Sequence, residues 1–132
     1  MSDESNVHPD DRLEIKTVEH RINSLRVIEI VLSGPLNSTT YQEFKDVIDD
    51  CIDEGKSLLM LNFEHLLMFD EAGSGGIISS KTKCKKDGGE MVIVRPNKQI
   101  KTLLGLIRFD KIMPVFDTLE DGLHHFTRIP LG

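Results

Sequence analysis

Tryptophan is absent, cysteine occurs only twice, and no apolar run comes near the roughly 20 residues a membrane span requires. Cys51 and Cys84 fall in different predicted helices, with no C-x-x-C and no histidine at ligand spacing, so the sequence encodes neither a disulfide framework nor a metal site. Cys51 sits on an apolar helical face and reads as a buried, reduced thiol. The N-terminus lacks a basic stretch followed by an apolar core, so no secretory leader is expected and a cytoplasmic location follows by default. Basic surplus is missing too. The net charge is -6 at pH 7, which argues against the basic stripe that phosphate backbones demand. Lys81, Lys83, Lys85 and Lys86 cluster late in a predicted helix, where cations suit the macrodipole. Neither nucleic acid nor a membrane is therefore an expected partner.

Catalytic signatures are equally scarce. There is no P-loop, Rossmann glycine fingerprint, H-E-x-x-H or G-x-S-x-G. His8, His20, His65, His124 and His125 are scattered, and adjacent residues such as His124 and His125 diverge on a helix. Ser74 in Gly73-Ser74-Gly75 has the look of a nucleophile, but no histidine or acid is set beside it to activate it. No cofactor and no enzymatic activity are expected.

What is present is an ordinary globular composition. The chain has 132 residues, 39% hydrophobic and 29% charged, enough for one domain whose core needs no staple. Residues 1–12 are polar and read as a disordered tail, leaving a domain over 13–128. Leu13, Ile15 and Thr17 alternate with polar residues as in a half-buried strand. After a turn at 21–24, Leu25–Leu32 is rich in β-branched residues and reads as its hairpin partner, ended by Ser33-Gly34-Pro35. Thr40 with Glu43 fits a capping box, and Tyr41, Phe44, Val47, Ile48, Cys51 and Ile52 repeat at helical spacing up to Gly55.

The run Ser57–Phe63 is too short for a helix and reads as a central strand buried on both faces. A helix is expected from about Asp70 to Asp87, with Asp70 and Glu71 suiting its N-terminus electrostatically. Gly75 and Gly76 weaken its start by roughly 1 kcal/mol each relative to alanine, so close packing or a partner's approach must explain them. Glu90–Val94 reads as another buried strand. Pro96-Asn97 opens a helix with Ile100, Leu103, Leu104 and Ile107 on one face. Pro114-Val115-Phe116 is a short last strand, and Thr118 caps a final helix with Leu119, Leu123 and Phe126 inward. The order ββαβαβαβα predicts an α/β fold, a mixed and mostly parallel sheet with helices packed on it.

Four segments in this order resemble the STAS domain, the fold of anti-sigma-factor antagonists and sulfate-transporter tails. Ser33-Gly34-Pro35-Leu36-Asn37 is similar to the family's G-x-L-D turn, and Phe69-Asp70-Glu71-Ala72-Gly73-Ser74-Gly75 to its D-S-S/T-G-L-G. Gly88-Gly89-Glu90-Met91-Val92-Ile93-Val94 looks like the G-G-x-L-x-L strand. Leu103–Ile112 is similar to the L-x-x-x-G-L-x-x-x-F/I segment. The resemblance spans about 13–128 and implies a regulatory protein-binding module whose partner is an anti-sigma factor or kinase-like ATPase. It implies contact through Asn37, Ser38, Asp70, Glu71, Ala72, Gly73, Ser74 and Ile77. It also implies a phosphoacceptor two positions after the motif aspartate, where phosphorylation puts about two negative charges into the interface.

This chain departs from the family at that position, where Ala72 has no hydroxyl to modify. Glu71 replaces the preceding serine, Asn37 stands where the family often has aspartate, and Ser74 is the alternative acceptor, facing inward on the helix. Either Ala72 leaves the module permanently competent to bind, the favoured reading, or Glu71 supplies a fixed charge like that of a modified state. The alternative role is a STAS scaffold or soluble subunit of a signalling complex or transporter. A homo-oligomer is left open.

Overall fold

A computed structural model describes residues 11–129. Residues 1–10 of the expected tail lie outside the described residues. The elements are β1 (Glu14–Ile22), β2 (Leu25–Leu36), α1 (Tyr41–Asp53), β3 (Leu58–Phe69), α2 (Glu71–Lys86), β4 (Glu90–Val94), α3 (Lys98–Leu106), β5 (Val115–Phe116) and α4 (Leu119–Arg128). A short 3-10 turn over Phe109–Lys111, which periodicity does not signal, precedes β5. The order of strands and helices is the expected ββαβαβαβα.

β1 and β2 are antiparallel, joined by Asn23 and Ser24, both at positive φ (50° and 72°). Two consecutive positive φ values are what a two-residue type I′ hairpin turn requires. The remaining pairs, β2–β3, β3–β4 and β4–β5, are parallel, giving the sheet order β1-β2-β3-β4-β5. Each crossover adds its strand on the same side of the last. Crossovers of one hand then put α1, α2 and α3 on a single face.

The alternation of side chains sorts the core accordingly. Ile28, Ile30, Leu59, Leu61, Met91 and Ile93 pack under α1, α2 and α3. Val27, Met60, Val92 and Val94 meet Phe126 of α4 on the opposite face. Farther along that second face lies a polar cluster that sequence patterning does not single out. Glu29, only 7% exposed, accepts from Asn62 Nδ2 at 2.7 Å and pairs with His20 Nε2 at 2.9 Å. A buried carboxylate persists only when such partners satisfy it.

Two strands run longer than the sequence suggests. β2 continues through Ser33-Gly34-Pro35 to Leu36, with register shifts at Val31/Ser33 and Gly34/Pro35. Proline has no N–H for a ladder and is tolerated at such an irregularity. β3 continues to Phe69, beyond the last pairing with β4 at Asn62. Asn97 covers the edge this leaves. Its Nδ2 lies 2.9–3.1 Å from the carbonyl oxygens of Phe63, Glu64 and Leu66, while its Oδ1 caps α3 at Ile100 N.

Candidate functional site

The long β2–β3 pairing builds the site. It ends on Leu36 opposite Phe69, so the turn before α1 and the start of α2 emerge side by side. The turn is held rigidly. Asn37 Oδ1 accepts from Thr39 N and Thr40 N at 2.9 and 3.2 Å. Thr40 Oγ1 donates to Pro35 O at 2.8 Å and accepts from Asn37 N at 2.9 Å. The expected Thr40–Glu43 capping box is therefore not formed. The buried Thr40 hydroxyl is engaged inside the turn, and Thr40 makes no side-chain cap to α1. Asn37 is likewise a turn-former, half-buried, while Ser38 beside it is exposed.

Asp70 starts α2 as its N-cap, accepting from Gly73 N at 2.9 Å, and its own N–H donates to Leu36 O at 3.3 Å. The cap thereby fastens α2 to the end of β2. Gly73 follows from this closeness, since any Cβ there would run into the Leu36 carbonyl oxygen. Gly76 packs on Tyr41 of α1, with its Cβ position 3.5 Å from Tyr41 Cβ. Lys83 Nζ to Asp49 Oδ1 at 3.0 Å ties the two helices further along.

Around the N-terminal turns of α2 the described residues form two grooves. The first, between α1 and α2, is lined by Ser38, Tyr41, Lys45, Ala72, Gly75 and Ser79. The turn and the helix motif, more than thirty positions apart in the chain, thus share one surface. The second groove lies between α2 and α3, and Asp70, Glu71 and Ser74 line it with Leu103 and Ile107.

The eight residues of the motif edge therefore divide. Ser38 and Glu71 are exposed, and Asn37, Asp70, Ala72 and Ser74 are half-buried. Gly73 is buried against Leu36, and Ile77 is fully buried in the core. Ile77, expected at the partner-facing edge, packs in the core instead, because its helix position points at the sheet. Ser74 is not turned inward but lies half-buried along the second groove. Sequence reading missed Lys45 and Ser79, whose only signal is helical spacing on elements whose mutual packing a single sequence does not reveal. Both cysteines are free and buried, and Cys84 Sγ donates to Ser57 O at 2.8 Å. Among the described residues no cluster of histidine, cysteine and acids is placed to hold a metal, and no helix is long and apolar enough to cross a membrane.

A family model described as the STAS domain matches residues 18–122. The chain belongs to the STAS domain family. It is 28% identical over 112 residues to the anti-sigma F factor antagonist of Paenibacillus polymyxa, an alignment covering 84% of this chain and 92% of that one. An anti-sigma factor antagonist from Mycobacterium paratuberculosis has a similar structure, with a TM-score of 0.70 and 19% identity over 89% of this chain and 96% of that one. So does the Bacillus cell-fate determinant SpoIIAA in its phosphorylated form, with a TM-score of 0.61 and 17% identity over 86% and 99%. The structural likenesses carry the fold. With the sequence relative they make this an anti-sigma-factor-antagonist-like STAS domain, and the motif edge of α2 lies inside the matched span.

Proposed function

We propose that this STAS domain is a non-catalytic binding module that docks an anti-sigma factor or kinase-like ATPase on the groove between α1 and α2. The observation that carries the reading is Gly75. It is exposed, a Cβ on it would meet nothing within 4 Å, and glycine in a helix interior costs roughly 0.5–1 kcal/mol relative to alanine. Internal packing does not call for it. The approach of another protein's backbone to the helix does.

Ala72 lines the same groove at the position where the family resemblance expects the phosphoacceptor. With no hydroxyl there, the module stays competent to bind and is not switched by phosphorylation at that position. The domain acts in the cytoplasm, where such partners work.

The test is a pull-down from source-cell lysate with wild type and Gly75→Arg as paired baits. Arginine at an open, exposed position fills the groove without disturbing the core. The expected result is a kinase-like ATPase retained by wild type and lost by Gly75→Arg. Incubated with that ATPase and ATP, the wild-type chain should gain no phosphoryl group. Retention of the ATPase by both baits would remove this groove from the interface.

A further inference from the structure

Helical periodicity assigns Ile107 to the buried face of α3, and the structure turns it outward. The helix ends at Leu106, and Arg108 adopts a left-handed conformation with φ of 54°. The chain reverses there, burying Phe109 while Leu106 stays 77% and Ile107 45% exposed. Leu103, Leu106 and Ile107 stand at i, i+3 and i+4, so they share one side of the helix. Single exposed apolar residues are unremarkable, but Leu103 and Ile107 line a groove.

That groove, about 390 Å³, is walled by Phe69, Leu103, Ile107, Phe109 and Ile112. Phe69 and Phe109 meet in its wall with their rings tilted by 55° and their centroids 5.9 Å apart. The ionisable side chains that line it are both acids, Asp70 and Glu71. Neither forms an ion pair among the described residues. Asp70 gives one oxygen to the α2 cap, and Glu71 is exposed. An apolar trough lined by two carboxylates that form no ion pair complements an apolar side chain followed by a cation. Arginine suits this better than lysine, because its planar fork meets carboxylates bidentately.

We propose that the groove between α2 and α3 docks a short segment of a partner protein bearing an apolar side chain next to an arginine. The inference rests on the reading of this domain as a partner-binding module and adds a second contact on the other side of α2. Ala72 and Gly75 serve the first groove, and Glu71, Ser74, Leu103 and Ile107 serve the second.

The test pans a displayed library of random peptides on the full wild-type chain. Each enriched peptide is then measured against Ile107→Lys and Glu71→Lys, both at exposed positions and both checked for unchanged melting. The expected result is enrichment of apolar residues beside arginine, with affinity falling about tenfold or more in each variant. Differential peptides without basic residues, or peptides indifferent to both variants, would overturn the proposal. So would loss of Leu103–Ile107 amide shifts on diluting the chain alone, which would make the occupant a second copy. In the lysate pull-down, loss of the ATPase by Gly75→Arg together with failed peptide selection leaves the partner reading standing and sinks this groove. No captured ATPase with successful selection does the reverse.

Discussion

A Cβ on Gly73 would run into the Leu36 carbonyl oxygen, whereas a Cβ on Gly75 would meet nothing within 4 Å. The same substitution should therefore act in opposite directions two positions apart. Gly73→Ala pushes on backbone that cannot yield without breaking the α2 cap, and overpacking of this kind costs about 1–3 kcal/mol. Gly75→Ala relieves a helix of its glycine and gains roughly 0.5–1 kcal/mol. Urea midpoints of the two variants should bracket that of wild type. Gly75→Ala below wild type would mean that packing, not a partner, selects the glycine. At Cys84, burial, with Glu90 and Asp87 nearby, pushes the thiol up to about 12. The fold thus holds the neutral thiol more tightly than the unfolded chain does. Its contribution is complete below the unfolded thiol's ordinary value near pH ~8.5 and is lost as pH rises from there toward 12. Urea titrations across that alkaline window should show stability falling more steeply for wild type than for Cys84→Ala. Parallel slopes would contradict the assignment.

Elements were legible where one periodicity ran unbroken. The stripe from Tyr41 to Ile52 and the runs Leu58–Phe63 and Glu90–Val94 needed only burial on one or two faces. Boundaries set by partners were not legible. β2 passes through Gly34-Pro35 because β3 lies alongside, and beyond its pairing with β4 the edge of β3 is covered as far as Leu66 by Asn97, about thirty residues on. Thr40 and Glu43 match a capping box in spacing, but the Thr40 hydroxyl finds Pro35 O first. Ile107 has core spacing, but the helix ends before it can be buried. The Asn97 junction carries its own prediction. Asn97→Ala removes the α3 cap and strips three carbonyls of their donor, which should cost about 2–4 kcal/mol by denaturant unfolding. A loss no larger than that of an ordinary surface substitution would mean that water replaces the side chain without penalty.

At the scale of the molecule, the sheet places its two kinds of surface apart. α4 covers part of one face with Phe126, and α1, α2 and α3 cover the other. The paired ends of β2 and β3 set the 37–40 turn beside the α2 motif. That juxtaposition was readable only through the family resemblance, since nothing in a single sequence brings Ser38 to Ala72. The resemblance named the edge but not its depth: it could not separate Ile77, which holds the core, from Ala72 and Gly75, which line the groove. A partner protein is proposed to sit on this edge. Amide hydrogen exchange on the chain alone and saturated with the captured ATPase tests it most directly. Slowed exchange is expected over 37–41 and 70–79, with α4 and β1 unchanged. Protection confined to α4 or to the β1 edge, with 70–79 unaltered, would contradict it.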